Sequence, residues 1–490
     1  MPYYVFAVGG TGARCLESLL FLCAAGLGPA ELHPILVDPD SGNGNLNRTK
    51  ELIIRYKAIR DRIENPLEGS LFYTKMLFNE NEQETDSEVR THIPNFFNPN
   101  SSLDRGENTL SHFIDYNNSL KGNEGQYLAD LLFSSDELEM DMAQGYRGVP
   151  SIGSMLMSNI EKRKMWDVLV SSLQNSKGSK VFIFASVFGG TGASGYPVIS
   201  QLIKNKAPGA KVGGALLLPY FRLPDPNNLI QQNKALKKEK VLPNSNSFMV
   251  NSKAACDFYR DNFGKIDSNY ILGDDLDNCE EYKKYAIGSK EQKNDAHMIE
   301  LFAAYAAMDF WEKKDNNYKP FYRIQVNNPQ EDQTPDFSIS SHDLPHILRK
   351  KGRAYPFERF ALFCHYLDEV WDLAEKQSAG LLDKITWLRN NTLRGRDVLA
   401  GKEELQTLKE FCDSFRVWIN QNHSNKAPLA ILDENMRLAC LLRDDQDRYR
   451  NRPISRLDTK LCRGKASGST LTETLLRAAS RTEITLEGVR

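Results

Sequence analysis

Residues 188–195 read FGGTGASG, with four glycines in the seven positions from 189 to 195. An apolar run, KVFIFASV (180–187), precedes them, and a helix-like stretch, YPVISQLIKN (196–205), follows. A glycine loop between a strand and a helix start aims backbone N–H groups and the positive end of the helix dipole at one point. That arrangement suits an anion, most often a phosphate. A simple turn needs one or two glycines, so the loop Gly189–Gly195 is expected to face a ligand. On that reading a valine at 192 blocks the site and leaves the fold largely intact. The other reading is a tight turn with close helix–strand packing.

A second glycine turn, VGGTGARC (8–15), follows the first apolar run, YYVFAV (3–8). It is close to a dinucleotide-binding fingerprint but has Cys15 where the third glycine belongs. Asp38 closes the next apolar run, LHPILVD (32–38), and also fits such a site. No lysine ends the 189–195 loop, so the GxxxxGK[ST] phosphate loop is absent.

The elements that must hold these loops follow from apolar patterning. Runs 3–8, 32–38, 180–187, 210–221 and 268–275 read as strands. Residues 13–25, 149–173, 244–263 and 294–314 read as helices. Strand, glycine turn, helix, strand opens an α/β domain with a mostly parallel sheet. Residues 45–140 read as a helical insertion with surface loops. Residues 316–445 read as a mainly helical C-terminal domain, and 446–490 as a polar, basic tail.

Four segments in order resemble the loops of the tubulin and FtsZ superfamily, over roughly residues 1–315. FGGTGASG is similar to its GGGTG[ST]G signature, with Phe188 for the first glycine and Ala193 for the serine or threonine. AVGGTGARCLESL (7–19) resembles its first nucleotide loop. LVDPDSGN (36–43) is similar to the VDLEP loop, and GYRGVPSIG (145–153) to the GxGAGxNPxxG loop. LLLPYF (216–221) falls at the strand entering the fifth loop.

The resemblance implies a tubulin/FtsZ-like Rossmann-type nucleotide-binding domain that takes GTP or GDP with Mg²⁺. Gly189–Ala193 would wrap the α- and β-phosphates, and Gly148, Val149 and Pro150 would face the γ-phosphate. Gly10, Thr11 and Gly12 would touch the phosphates from the first loop. Asp38 and Asp40 would orient Mg²⁺ through water, although DPD is also a good turn sequence. Arg14 would reach a phosphate or face solvent. Asn294 would read the base edge or cap the helix that it opens. Asn251 and His297 are weaker candidates at the base, with packing the ordinary role for the histidine. The family's acidic hydrolysis motif has no match. Glu331 and Asp343 are candidate catalytic acids in the corresponding region, among others.

The chain has 490 residues and a formal net charge of −2, which disfavours a wholly nucleic-acid-binding protein. Eight cysteines are scattered with no CxxC pair, the pattern of reduced thiols in a cytoplasmic protein. The N-terminus enters a strand with no basic region or cleavage site, and no apolar run is long enough for a bilayer. Arg448, Arg450, Arg452, Arg456, Lys460, Arg463 and Lys465 stand against Asp458 alone, as a solvated tail or a contact for an anionic partner or nucleic acid. The leading expectation is a slow Mg-dependent GTPase that self-associates, with a protein partner on its helical region. The alternatives are a GTP-binding switch or scaffold that does not hydrolyse, and a Rossmann NAD(P)-dependent oxidoreductase.

Overall fold

The computed structural model describes residues 2–78, 96–99, 108–176, 178–223, 225, 227–228, 244–263, 266–274, 279–281, 292–312, 356–376, 379–383, 385–391, 395–425, 429 and 468–480. The strands are β1 (Tyr3–Val8), β2 (Glu31–Val37), β3 (Lys75–Met76), β4 (Phe96–Phe97), β5 (Lys180–Ser186), β6 (Lys211–Leu217), β7 (Phe221–Arg222) and β8 (Ser268–Leu272). One sheet runs β3-β2-β1-β5-β6-β8, with β4 also pairing β2. Every one of these pairings is parallel. β7 lies apart, paired with Glu280–Glu281. The chain leaves β1 toward β2, then returns to the other side of β1 as β5. This is the doubly wound α/β order, with its direction switch between β1 and β5.

Alternate residues of each strand feed opposite cores, as a pleated sheet covered on both faces requires. Val5, Ala7, Phe182 and Phe184 join one core; Tyr4, Phe6, Val8, Val181 and Ile183 join the other. The first face carries α1 (Gly9–Ala24), α2 (Gly44–Arg60) and, later in the chain, the helix Met298–Glu312. The second carries α3 (Pro150–Met157), α4 (Lys164–Asn175), α5 (Gly190–Lys206) and α6 (Phe248–Phe263). We label Met298–Glu312 α7, and the C-terminal helices α8 (Pro356–Glu375), α9 (Lys402–His423) and α10 (Leu471–Ser480).

The C-terminal helical region shares one continuous core with α1, α2 and α7. Phe21 of α1 meets Phe411, Phe415 and Trp418 of α9 at ring-centroid distances of 5.6, 5.3 and 5.3 Å. Arg359 of α8 donates to the Gly69 carbonyl (2.7 Å) and to the Ser480 carbonyl at the end of α10 (2.9 Å). The reading of 446–490 as a polar tail therefore fails at α10, which buries Leu475, Leu476, Ala478 and Ala479. The basic segment 448–465 lies outside the described residues. The insertion boundary at 45 also fails. α2 buries Leu46, Leu52, Ile53, Tyr56 and Ile59, and its buried polar Asn45 and Thr49 broke the apolar stripe that would have announced it.

The glycine turns are corrected as well. Both are the first turns of helices, and the glycines at 190 and 192 are required by the protein itself. A Cβ on Gly192 would lie 2.7 Å from both the backbone N and O of Ser186. One on Gly190 would lie 2.8–2.9 Å from Tyr146. Close packing, the alternative reading, explains these two positions. A side chain at 192 thus meets backbone before it meets any ligand, and the expectation that valine there spares the fold does not hold. Gly192→Ala is expected to cost about 1–3 kcal/mol by overpacking. Denaturant unfolding measures it, and unchanged stability would refute the contact.

Candidate functional site

The carboxyl ends of β1, β2 and β5 open on a cleft of about 910 Å³, solvent at its mouth included. Open α/β sheets bind ligands at this place, outside the strand ends where the winding reverses. Its walls come from Gly9–Thr11, Asp38 and Asp40, the 144–148 loop, Ser186–Gly192 and Asn294.

The floor is two helix starts side by side. α1 begins at Gly9 directly after β1, and α5 at Gly190 with three residues between it and the end of β5. A Cβ on Gly9 would lie 3.3 Å from the Cβ of Thr191. Neither N-cap, Val8 or Gly189, supplies a side-chain acceptor, and neither first turn holds an acid. The first N–H groups of a helix have no partner within it. Two such ends converging make a strongly anion-attracting floor.

The acids follow β2. The Asp38 carboxylate accepts from the backbone N–H of Asp40 (3.0 Å), and Asp40 accepts from that of Gly42 (2.9 Å). The turn chemistry is therefore present, and both side chains also line the cleft, 3% and 5% exposed. Burial, then the neighbouring Asp40, push the Asp38 carboxyl up to about 8, against a lesser pull from Lys50. A divalent cation would relieve that repulsion. No cluster of three acid, histidine or cysteine ligands occurs among the described residues. A cation here would complete its shell with water and ligand oxygens, the habit of Mg²⁺.

A buried polar network forms the wall around Asn294. Arg14 Nε donates to Glu300 (2.5 Å), Nη2 to the Tyr220 hydroxyl (2.6 Å) and Nη1 to Asn294 Oδ1 (3.1 Å). Arg14 is 3% exposed, so the solvent reading fails; it lines the cleft with its charge matched by Glu300. Asn294 lies four positions before α7 and does not cap it. Asn45 Nδ2 donates to Asn294 Oδ1 (2.8 Å), and the Asn294 backbone N–H donates back to Asn45 Oδ1 (2.9 Å). Arg48 donates to the Asn294 carbonyl (3.0 Å) and pairs with Glu17 (2.7 Å).

Gly10, Thr11, Arg14, Asp38, Asp40, Gly148, Gly189, Gly190, Thr191, Gly192 and Asn294 come together on the cleft. Gly12, Val149, Pro150 and Ala193 stand behind this lining. Gly12 lets α1 press on β1 and β5, where a Cβ would lie 2.8 Å from Ala7 and Phe184 backbone atoms. Val149 and Pro150 start α3. The Ala193 carbonyl accepts from the Tyr259 hydroxyl. Asn251 donates to the Gly148 carbonyl (3.2 Å). His297 packs on Tyr220 with ring centroids 4.9 Å apart. Glu331 and Asp343 lie outside the described residues. Sequence reading missed Asn43, Asn45, Gln144, Arg147 and the apolar rim of Phe188, Phe221, Leu223 and Phe248. Asn43 carried a signal, since it caps α2 through the Asn45 and Leu46 N–H groups. The rim comes from three separate segments with no shared pattern.

No family model matches the chain, and no curated protein matches it. Among solved structures it is similar to CetZ from Methanosaeta thermophila strain DSM 6194, with 15% identity and a TM-score of 0.23 over 64% of this chain. The chain spans about half the length of that protein, 51% of it. No described helix is long and apolar enough to cross a membrane.

The Asp38 shift sets a pH dependence in metal-free buffer. The folded carboxyl near 8 holds its proton where the unfolded chain, near 3.8, has lost it. Stability should therefore fall as pH rises from about 4 to 8 and level off above that. Asp38→Asn should remove this slope, gaining on the order of a few kcal/mol over the native chain between pH 4 and pH 9. Denaturant midpoints across that range test it; parallel curves would show an acid ionised at its ordinary value.

Proposed function

We propose that the chain binds a nucleoside triphosphate with Mg²⁺ in this cleft. The observation that carries the reading is the convergence of two uncapped helix starts and two buried acids at the winding switch of a parallel sheet. The helix starts suit the phosphates, the acids suit the cation, and the asparagine-rich wall of Asn43, Asn45 and Asn294 suits a base edge. The order of the tubulin- and FtsZ-like motifs along the chain makes GTP the nucleotide of choice. On that basis the protein is a tubulin-like GTP-binding protein that self-associates through its nucleotide face and hydrolyses GTP slowly.

One observation favours a second reading, a switch that holds GTP without turning it over. The acids on the described lining are Asp38 and Asp40, and both are engaged in turn hydrogen bonds. Hydrolysis would then need an acid from residues 315–345, the region of Glu331 and Asp343, or from a second copy. A head-to-tail contact between copies would supply one and would grow into a filament or close as a ring.

Calorimetry with GTP, ATP and NAD in Mg²⁺ buffer should show micromolar GTP binding and no NAD binding. Tight NAD binding without GTP binding would replace this reading with the oxidoreductase one. Asp38→Ala combined with Asp40→Ala should weaken GTP more than GDP, because the two acids would hold a cation for the terminal phosphate that GDP lacks; equal losses would leave the acids as turn residues alone. Light scattering with GTP, GDP and no nucleotide should show growth in size with GTP. Monomer at tens of micromolar protein, together with no phosphate release, would select the switch.

A further inference from the structure

The helix Glu124–Leu132 turns its apolar face outward. Tyr127, Leu128, Leu131 and Leu132 are 70%, 55%, 82% and 61% exposed, and Ala129 is the helix's buried residue. They are four of the twelve large apolar side chains that stand exposed among the described residues. Positions i, i+1, i+4 and i+5 share one face of a helix, the stripe that an amphipathic helix ordinarily turns to a core. Here it meets water, and a contiguous exposed patch of this kind marks an interaction surface.

The patch is presented on a braced element. Asn123 caps the helix, accepting from the Gly125 (2.8 Å) and Gln126 (3.3 Å) N–H groups. The Tyr116 hydroxyl donates to Asp130 at 2.5 Å. Ser134 and Glu137 close a capping box at the start of the next turn, and Leu138 and Met140 follow it into the core of the second sheet face.

Charge selects the occupant. Residues 108–141 hold seven acids against Lys121 alone among lysines and arginines. Two such faces repel each other, and an anionic membrane or a nucleic acid is repelled by either. The complement is an apolar stripe bordered by cations, and the chain's own sequence contains one. Residues 448–465 carry seven cations against Asp458, with Ile454, Leu457 and Leu461 three and four positions apart. Two residues separate Lys465 from Gly468, whose N–H donates to Thr474 of α10 (3.1 Å). α10 feeds the core of the first sheet face, while Leu138 and Met140 feed that of the second. The cationic segment and the acidic helix thus belong to opposite faces of one chain and meet most directly between copies.

We propose that the helix Glu124–Leu132 is a docking surface for residues 448–465 of a second copy of this chain. The leucines and Tyr127 cover the apolar stripe, and the acids around them face its cations. The contact joins unlike surfaces, so it is heterologous and can propagate from copy to copy. It needs no nucleotide and uses no residue of the cleft.

Sedimentation equilibrium of the full chain, without nucleotide and with EDTA, tests it. Association should appear on the order of tens of micromolar, the weak end for protein contacts. It should be present at about 50 mM salt and lost by about 300 mM, as the charges are screened. Leu131→Gln with Leu132→Gln should raise the dissociation constant about tenfold or more, for two leucines no longer buried. The melting temperature should not change, because both side chains are exposed in the single chain. Arg452→Glu with Arg456→Glu should weaken association to a similar degree. Mixing the two variants should restore a one-to-one pair and nothing larger, since each keeps the surface that the other has lost. A native chain that stays monomeric at low salt would overturn the assignment, as would a mixture that stays apart. Association lost with the leucines but kept with the glutamates would show the helix pairing with its own copy, and would overturn it too.

Discussion

The site depends on how closely two helices can start beside each other. β1 and β5 are adjacent and parallel, so α1 and α5 must leave the sheet at the same edge and turn over opposite faces. Their first turns collide unless both are built from residues with almost no side chain. Gly9 against Thr191 is the contact between the two first turns, and Gly192 against the Ser186 backbone seats α5 on its own strand. The result that matters for chemistry is a by-product of that packing. Two sets of helix-end N–H groups, each with its dipole, are brought to the same floor. A protein could satisfy one such end with a side-chain cap, but neither Val8 nor Gly189 supplies one.

The rest of the cleft is held by charge that has been taken out of water. Glu300 is fully buried, and its partner Arg14 reaches it from α1, so α7 is fixed to α1. Breaking such a pair from one side leaves an uncompensated buried charge and costs about 3–5 kcal/mol. Glu17 and Arg48 repeat the arrangement between α1 and α2, with burial still raising the Glu17 carboxyl despite its cation. Asn294 sits where the two pairs meet, bonded to both arginines. Its position is therefore set by α1, α2 and the approach to α7 together. The C-terminal helices close the outer face of the same layer, and Trp418 of α9 donates to Ser18 of α1 at 3.3 Å. They buttress the wall of the site from behind.

Much of the fold was legible because parallel strands buried on both faces read as unbroken apolar runs. The β1, β5 and β6 runs are of this kind, and the glycine turns mark where two of them hand over to helices. α2 was not legible, since Asn45 and Thr49 occupy its buried face and are satisfied by Asn294 and by the Ala13 carbonyl. α10 was masked by its surroundings, a short apolar stripe after a long basic stretch. In the site, the glycines and acids announced themselves by type and spacing. Asn45, Gln144 and Arg147 did not, because their roles come from partners far away in sequence or from a backbone angle. The glycines were also misread in part: density of glycine signals close approach, and the sequence does not say whether the approaching group is a phosphate or the protein's own backbone.

The central claim is that phosphates sit against the paired helix starts. Hydrogen–deuterium exchange, with and without millimolar GTP and Mg²⁺, tests it most directly, since it reports on the N–H groups themselves. The account predicts slowed exchange in residues 9–12, 145–149 and 189–193, with α4 and α9 unchanged. Exchange at those three segments that is indifferent to nucleotide, or protection confined to another part of the chain, would contradict it.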